Sequence, residues 1–386
     1  MPDQLFSSLS SLNLTPTQAQ RLGLAQTALT LRRTWPRSAE LVGLEYLTAD
    51  GQIVPGQWLA DPAQVEQVVG KTRRSSASPT VAVVDVAATK ILLQSHGADR
   101  HLPGLAALLA QPDARLLVHR PERRAVVRLQ TASGPVFAKL VRPDKVAALV
   151  ASHLVVGRLV GQQFAVPQLL EVDEPRGITL WSALLGRSLY DLVGEAEFVP
   201  AARLAGSALR ALHNAAAPAS LSVHSAASEG AVLQSWIDRL HLFAPDRATA
   251  VHITAAETLA ALAHSSDAPR VLLHRDFYDK QIFVDADGSV GLLDFDTLTT
   301  GEAALDLANA LVHFELRAIS GGCSRAQADA AGAAMLAGYR PGPAVCQRLN
   351  LYADATRLRL ACVYSFRPYG MRLLPLLLAR VGQNIT

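Results

Sequence analysis

The chain has 386 residues, half of them hydrophobic, and a formal net charge of only +3. This length suits two or three domains rather than one, and so small a net charge does not indicate a nucleic-acid partner. No uninterrupted apolar run reaches the ~20 residues that span a bilayer, and the first residues lack the features of a secretory signal. The three cysteines have no metal-like spacing and fit a reducing compartment. We therefore expect a cytoplasmic protein that binds neither nucleic acid nor membranes.

The first part of the chain predicts a helix followed by a hairpin. Residues 15–33 read as a helix, because Thr15 and Pro16 form a favourable helix start and apolar residues recur at helical spacing. Asp50 and Gly51 lie between two alternating apolar segments, which is typical of a β-hairpin. This succession points to a small mixed unit.

A loop and two short elements are predicted between residues 71 and 112. The basic, serine-rich run 71–79 reads as an exposed loop rather than as a phosphate-binding patch. Residues 80–87 predict a buried strand, and residues 101–109 predict a short helix. Together with the preceding hairpin, they predict an α+β domain over residues 1–112.

Three consecutive short strands are predicted next, over residues 115–119, 125–129 and 135–141. The third strand contains Lys139 within the apolar sequence VFAKL. Burying a lysine costs free energy unless it meets an anion, so this position suggests contact with phosphate. The alternative is that Lys139 faces solvent from an antiparallel sheet, whose strands commonly alternate between a buried and an exposed face.

The turn between the first two of these strands, residues 120–124, contains no glycine and offers no backbone cradle for phosphates. Arg123 and Arg124 can bind phosphate through their side chains instead. The alternative is that they form a solvated basic turn. The helix predicted over residues 143–159 contains no glutamate.

The most informative segment spans residues 271–308, where an apolar strand is followed by a polar loop and a short hairpin. Its polar positions are His274, Arg275, Asp276, Gln281, Asp294 and Asp296. Phosphoryl transfer needs one carboxylate to orient or deprotonate the attacking hydroxyl. It also needs a second carboxylate and an amide oxygen to hold Mg²⁺. The segment supplies all three groups on the ends of neighbouring strands.

The pattern H-x-D-x-x-x-x-Q followed by D-F-D resembles the catalytic loop and metal motif of the aminoglycoside phosphotransferase/choline kinase-like superfamily. Residues 304–308 (ALDLA) and 185–189 (LGRSL) are similar to further segments of these kinases. Gln281 stands where most members have Asn, and in this it resembles maltokinase-type sugar kinases. A lone His-x-Asp triplet would equally fit a capped turn, so the resemblance depends on the ordered set of motifs.

The resemblance implies an α+β, two-lobed protein-kinase-like fold, with a small antiparallel-sheet lobe and a mainly helical large lobe. We expect the small lobe over residues 113–184 and the helical lobe, with the catalytic loop, over residues 185–386. An extra N-terminal α+β domain would precede them. The implied activity is transfer of the γ-phosphate of ATP or another NTP, with Mg²⁺, to a hydroxyl of a small molecule.

The resemblance also implies roles for individual residues. The implied catalytic residues are Asp276 and Arg275, of which the arginine is expected to brace the loop. The implied metal ligands are Gln281 and Asp294, with Asp296 as a further candidate for metal or substrate. The implied nucleotide-binding residues are Lys139, Arg123, Arg124, Ser182, Ala183 and Leu184, of which the last three would face the adenine. His274 and Asp306 are expected to fix the loop backbone by hydrogen bonds.

The last part of the chain bears on the acceptor. From residue 316 onward the only acids are Asp329 and Asp354. The bases are Arg317, Arg325, Arg340, Arg348, Arg357, Arg359, Arg367, Arg372 and Arg380. This imbalance disfavours a polycationic aminoglycoside and favours a neutral sugar or an anionic metabolite. We nevertheless expect most of these arginines to lie on the solvated faces of helices.

Two rival functions remain open from the sequence. One is an antibiotic kinase of the same superfamily. The other is a nucleotide-binding scaffold without turnover, since the helix glutamate and the glycine turn are missing. We expect the partner to be a small-molecule acceptor and the protein to be a monomer or homodimer.

Overall fold

The computed structural model describes residues 13–15, 28–75, 82–84, 90–160, 163–265 and 269–385. These residues form an N-terminal antiparallel sheet, a second antiparallel sheet and a mainly helical part. None of the helices that they form combines the length and the hydropathy that crossing a bilayer requires.

The N-terminal sheet has five strands in the order β1-β2-β3-β5-β4, and all neighbours are antiparallel. The strands are β1 (Thr30–Ser38), β2 (Leu41–Leu47), β3 (Ile53–Leu59), β4 (Ala82–Val84) and β5 (Ile91–Leu93). The helices of this region are α1 (Pro62–Ser75) and α2 (Leu105–Leu109). The predicted hairpin is β2–β3, and its turn needs Gly51 because the residue has φ of +79°.

Two element predictions in this region are wrong within the described residues. The helix predicted over residues 15–33 falls largely outside them, but residues 30–33 belong to β1, where Leu31 and Thr34 are buried. Pairing with β2 therefore overrides the helical spacing of the apolar residues. The basic run predicted as a loop over residues 71–79 begins inside α1, whose last residue is Ser75.

The second sheet contains the three predicted consecutive strands and has the order β6-β7-β8-β10-β9. Its strands are β6 (Arg115–Arg120), β7 (Arg124–Thr131), β8 (Gly134–Val141), β9 (Leu169–Asp173) and β10 (Ile178–Ser182), and α3 (Val146–Val160) follows β8. Lys139 lies between Val126 of β7 and Thr179 of β10. Its neighbours Ala138 and Leu140 are fully buried in the core beside α2. Because strand side chains alternate, Lys139 projects from the opposite face.

The third part is mainly helical and carries short strands that hold its loops. Its helices are α4 (Phe198–Asn214), α5 (Ala226–Phe243), α6 (Pro245–Ala263), α7 (Ala304–Ile319), α8 (Arg325–Tyr339), α9 (Pro343–Ser365) and α10 (Leu373–Leu378). One small sheet joins β11 (Arg187–Ser188), β14 (Ile282–Val284) and β15 (Val290–Leu292). Another joins β12 (Val223–His224), β16 (Thr299–Glu302) and β13 (Arg270–Leu273).

The N-terminal sheet shares an apolar core with the helical part. Tyr46 of β2 packs in one cluster with Phe243 of α5 and with Phe366, which follows α9. Thr34 of β1 donates from its backbone N–H and its hydroxyl to the Phe366 carbonyl oxygen, both at 3.0 Å. Arg37 of β1 donates to the carbonyl oxygen of Pro121, in the turn between β6 and β7, at 2.5 Å. Strand β1 therefore bridges the helical part and the second sheet.

Candidate active site

Lys139 of the second sheet contacts two carboxylates of the helical part. Its Nζ donates to Asp294 Oδ1 at 2.9 Å and to Asp296 Oδ1 at 2.5 Å. Arg124 Nη1 lies 3.2 Å from Asp296 Oδ2 and 3.9 Å from Asp294 Oδ2. Helix α3, which follows the lysine strand, contains no acidic residue. The carboxylates of the D-F-D motif therefore stand as the partners of Lys139 where a helix glutamate is missing.

The pKa values of the two carboxylates of this motif are shifted in opposite directions. Burial raises the pKa of Asp294, but the charges of Lys139 and Arg124 outweigh burial and hold that pKa well below its usual range. Burial also raises the pKa of Asp296; the positive charge of Lys139 lowers it, but burial and the adjacent negative charge of Asp294 together outweigh that lowering. Asp294 is therefore the more firmly ionised of the pair. Its backbone has φ of +61°, which turns the chain sharply after β15.

Asp306, in the first turn of α7, anchors the predicted catalytic loop. Its fully buried carboxylate accepts the backbone N–H of His274 and that of Arg275, both at 2.7 Å. The same carboxylate lies 3.2 Å from Nε2 of His213. These bonds hold Arg275 at φ of +66°, a conformation that non-glycine residues rarely adopt. Nε2 of His274 donates to the Leu293 carbonyl oxygen at 2.7 Å, which ties the loop to the residue before the D-F-D motif.

Asp276 is half-buried in this loop, and its backbone N–H donates to Nδ1 of His274 at 3.3 Å. Burial raises the pKa of its carboxyl, and the like charge of Asp294 adds to the increase. The interaction with His274, and after it the positive charges of Arg359 and Arg124, offset only part of it. A carboxylate whose pKa is raised is a stronger base than an ordinary aspartate.

Gln281 lies beside the motif through the hairpin β14–β15. The backbone carbonyl oxygen of Gln281 accepts a hydrogen bond from the backbone N–H of Leu293 at 2.9 Å. Because Ile282 pairs with Leu292, Gln281 stands opposite the residue that precedes Asp294. Amide and carboxylate oxygens are the donors that Mg²⁺ prefers, so this set suits that ion. In the described part of the chain, no three His, Cys, Asp or Glu side chains are grouped to hold a metal.

The segment 182–184 joins the second sheet to the helical part. Ser182 exchanges two bonds with Gln168, one through its backbone N–H and one through its hydroxyl oxygen, both at 2.9 Å. The Leu184 side chain covers Gly291 of β15, where an added Cβ would lie 2.9 Å from Leu184 Cδ1. This segment therefore lies against the strand that leads to Asp294.

The two arginines of the glycine-free turn diverge. Arg124 contacts the D-F-D carboxylates, whereas Arg123 lines a neighbouring cavity whose lining does not include Arg124. The turn itself is held by Asp99, which accepts the Glu122 N–H at 2.6 Å and lies 2.9 Å from Nε2 of His119. Side-chain bonds from the preceding region thus fix a turn that lacks a glycine cradle.

Sequence reasoning missed several residues that shape the catalytic loop. The carboxylate of Asp279 binds Arg317 of α7 through Nε at 2.5 Å and Nη2 at 3.1 Å. Burial lowers the pKa of Arg317, but Asp279 outweighs burial and raises it above its ordinary value. Asn309 donates to the Phe277 carbonyl oxygen at 2.9 Å and accepts from Arg359 at 2.7 Å. The one sequence feature that could have indicated these contacts was Asp279, which lies inside the motif, because a buried acid requires a cationic partner.

The prediction that most arginines after residue 316 are solvated is wrong. Four of them are buried or half-buried and bind acids instead: Arg317 binds Asp279, Arg348 binds Glu302, Arg357 binds Glu315 and Asp354, and Arg380 binds Glu315. Most of these acids precede residue 316, because helices distant in sequence pack together. Counting charges within one segment therefore overestimated its positive potential.

The family comparison gives a match over more than half of the chain. Residues 113–347 match the model of the family APH, described as a phosphotransferase enzyme family. A comparison with curated proteins gives no match.

Similar solved structures include three kinases or kinase relatives. Amicoumacin kinase hAmiN, in complex with AMP-PNP, Ca²⁺ and Ami, has a TM-score of 0.54 at 13% identity, covering 72% of this chain and 90% of that one. A choline/ethanolamine kinase family protein from Mesorhizobium loti has a TM-score of 0.49 at 17% identity, and the match covers 72% of this chain and 92% of that one. Aminoglycoside phosphotransferase APH(3'')-Id from Streptomyces rimosus has a TM-score of 0.46 at 21% identity, and the match covers 65% of this chain and 94% of that one. The first likeness confirms the predicted kinase-like fold, with one sheet lobe and one helical lobe.

Proposed function

The chain belongs to the phosphotransferase enzyme family, and on that premise we propose that it transfers the γ-phosphate of ATP, with Mg²⁺, to a hydroxyl of a sugar or sugar-like molecule. Membership makes it a small-molecule phosphotransferase; the donor, the ion and the acceptor are the proposed parts. The observation that carries the proposal is the contact of Lys139 with Asp294, beside an Asp276 whose pKa responds to Asp294. Positioning and charge stabilisation are what phosphoryl transfer chiefly asks of a protein.

The nucleotide phosphates would be bound by Lys139 and Arg124. In the structure both side chains contact the D-F-D carboxylates, so the cationic group of each already lies in the cleft. Asp294 and the amide of Gln281 would hold Mg²⁺, with Asp296 as a further ligand; when bound, the ion supplies charge neutralisation at the phosphate oxygens. Lys139 would exchange its carboxylates for phosphate oxygens, which keeps its charge compensated.

Asp276 would act on the acceptor. Its carboxylate would orient the hydroxyl and take its proton as the new O–P bond forms and the bond between the γ-phosphorus and ADP breaks. Arg275 would position this loop, because its N–H is held by Asp306. Its charge is one of those that lower the pKa of Glu229 in α5, a carboxyl whose burial alone would raise that pKa.

Two further parts of the proposal rest on analogy. The structure of amicoumacin kinase contains AMP-PNP and Ca²⁺. By analogy, we propose that this chain binds a nucleotide together with a divalent ion. The backbone of residues 182–184 would then face the adenine. Gln281 in place of Asn, as in maltokinase-type kinases, favours a sugar over an antibiotic as acceptor.

The proposal is tested by measuring ADP release with ATP and Mg²⁺ against sugars, amino sugars and aminoglycosides. We expect acceptor-dependent release that EDTA abolishes, with a sugar-like compound as the best acceptor. An aminoglycoside with kcat/KM near the ~10⁴ M⁻¹s⁻¹ of cognate reactions would instead identify an antibiotic kinase.

One observation favours a second candidate, a nucleotide-binding scaffold. Lys139 occupies both Asp294 and Asp296 at once, and this arrangement would keep a metal away from the carboxylates. Thermal shift with ATP, with and without Mg²⁺, separates the two candidates. Stabilisation by ATP alone, without transfer to any acceptor, would support the scaffold.

Replacing Asp294 with alanine is expected to remove Mg²⁺-dependent ATP binding. A neutral site does not hold a hard cation beside phosphate oxygens, and Lys139 would lose one partner. Isothermal titration with ATP, with and without Mg²⁺, measures the effect. Asp287→Ala is the matched control, because Asp287 is an exposed carboxylate in the turn of the β14–β15 hairpin. Unchanged affinity in the Asp294 variant would move the metal site, with Asp296 as the next candidate.

The pH dependence of kcat/KM should report the ionisation of Asp276. The base form is lost as pH falls through its folded-state pKa, which lies above the ordinary aspartate value. Activity should therefore decline on the acidic side at a higher pH than an unperturbed aspartate would give. Asp296→Asn should keep this decline if Asp276 causes it. A profile that stays flat to about pH 4, where ordinary aspartates titrate, contradicts the assignment.

A further inference from the structure

A cavity of about 360 Å³ lies where β1, the β6–β7 turn, α5 and the end of α9 meet. Five arginines line it: Arg37, Arg120, Arg123, Arg239 and Arg367. Two tryptophans, Trp35 and Trp236, complete its aromatic lining. We refer to it as the arginine cavity. Its volume is in the range of small-ligand sites, which run from roughly 300 to 1,000 Å³.

The positive charge of the arginine cavity is not neutralised by the residues that the structure describes. None of its five arginines has a carboxylate within ion-pair distance there. The nearby acids are engaged elsewhere: Glu122 binds Arg100 at 2.6 Å, and Asp99 binds His119 at 2.9 Å. This contrasts with the paired arginines of α7 and α9. Unpaired, partly buried guanidinium groups are costly unless an anion joins them.

Arg120 connects the arginine cavity to the reaction centre. It pairs across the β6–β7 turn with Arg124, which contacts Asp296. Burial and the charge of Arg124 lower the pKa of Arg120 to about 10, while Asp276 and Asp294 act in the opposite direction. Its buried Nε has no hydrogen-bond partner among the described residues. Because directly paired residues of neighbouring strands project from the same face of a sheet, Arg120 lies on the face from which Arg124 reaches the D-F-D carboxylates, and the cavity lies beside that cleft.

The tryptophans provide flat faces beside these charges. The guanidinium of Arg120 lies 5.5 Å from the centre of the Trp35 ring, and that of Arg239 lies 4.9 Å from the Trp236 ring. The guanidinium of Arg33 also lies 5.0 Å from the centre of the Trp35 ring, so Trp236, with one arginine over it, offers the larger free surface for apolar contact. Trp35 and Arg37 both belong to β1, so the N-terminal sheet builds one wall of this cavity.

We propose that the arginine cavity receives the phosphoryl acceptor and selects an anionic one: a ring-shaped, hydroxyl-bearing molecule with a carboxylate or phosphate group. The oxyanion would meet Arg239, Arg37 and Arg120, because guanidinium forks match such groups bidentately. The ring would pack on the tryptophans, and a hydroxyl would face Asp276. This inference rests on the proposed function, and it excludes a polycationic acceptor for a structural reason.

The first test is direct binding, measured by titration calorimetry in the presence of AMP-PNP and Mg²⁺ so that the phosphate site is filled. The probes share one ring: D-glucose, D-glucosamine, D-glucuronate and D-glucose 6-phosphate. We expect the two anions to bind at least about tenfold more tightly than glucose, which is the worth of one charge-assisted hydrogen bond. Glucuronate against glucose 6-phosphate distinguishes a carboxylate from a phosphate. Equal affinities, preference for glucosamine, or no binding of either anion would overturn the proposal.

Variants locate the site. Arg239→Gln should weaken binding of the preferred anion about tenfold and leave the affinity for AMP-PNP unchanged. Arg210→Gln, an exposed arginine of α4, is the matched control and should bind the anion normally. An anion preference that survives both Arg239→Gln and Arg37→Gln would place the anion elsewhere and refute the inference.

The same probes in the ADP-release assay separate this inference from the proposed function. Anion binding that depends on Arg239 but gives no phosphoryl transfer leaves the selectivity of the cavity standing and refutes the phosphotransferase assignment to this acceptor class. Transfer to glucose, without binding of either anion, keeps the proposed function and refutes the inference.

Discussion

An Asp276→Asn variant is expected to lose phosphoryl transfer, with kcat falling at least ~10²-fold, while its affinity for ATP and Mg²⁺ stays nearly unchanged. Asparagine keeps the size of the side chain but cannot take a proton from the acceptor. The backbone bond to His274 and the neighbouring contact of Lys139 with Asp294 do not involve the Asp276 carboxylate. Single-turnover kinetics measure the transfer, and isothermal titration measures the affinity.

The control for this experiment is Asp287→Asn, an exposed position in the turn of the β14–β15 hairpin, which precedes the D-F-D motif. It should keep the activity of the unmodified protein. An Asp276→Asn variant that retains more than about a tenth of the turnover would rule out base catalysis by this residue. Loss of ATP affinity together with activity would point instead to damage to the loop, and Asp276→Glu would then report whether a carboxylate restores transfer.

A Glu315→Ala variant should show the largest loss of stability, about 3 kcal/mol in the free energy of unfolding. Arg357 has no exposed surface, and Glu315 accepts from its Nη2 at 2.8 Å and from Arg380 at 2.6 Å. Removing one partner of a buried pair typically costs about 3–5 kcal/mol, because the other charge stays buried. Asp354 still binds Arg357 at 2.8 Å, which favours the lower end of that range.

The matched control is the exposed pair of Arg325 and Asp329 on α8, 2.7 Å apart. Asp329→Ala should change the free energy of unfolding by less than about 1 kcal/mol, since water screens exposed pairs. Urea denaturation followed by circular dichroism measures both variants. Equal, small effects would mean that water or another acid compensates Arg357.

The candidate catalytic motif could be recognised in the sequence because its residues are close together in the chain. Asp276, Gln281 and Asp294 lie on one loop and one hairpin, and local turn chemistry fixes such short elements. The hydrogen bonds from His274 and Arg275 to Asp306 also follow from one continuous motif. The roles of these residues in binding metal and acceptor stay predictions.

Contacts between distant segments could not be read in the same way. Lys139 and Asp294 are 155 residues apart, and neither residue signals that it meets the other. Asp279 and Arg317 are 38 residues apart and join only because α7 packs behind the loop. The arginine cavity escaped prediction for a related reason: the helix predicted over residues 15–33 overlaps β1, which supplies Trp35.

The bond of Thr34 to Phe366 spans 332 residues, and it has a consequence for biosynthesis. At ~5–20 residues per second, the apolar face of the N-terminal sheet waits on the order of half a minute for α9 to emerge from the ribosome. Such non-local contacts slow folding and leave hydrophobic surface open to aggregation in the meantime. Expression at low temperature or with added chaperones should therefore raise the yield. A shortened chain limited to residues 113–347 would expose the faces of α5 and α6 that this sheet covers.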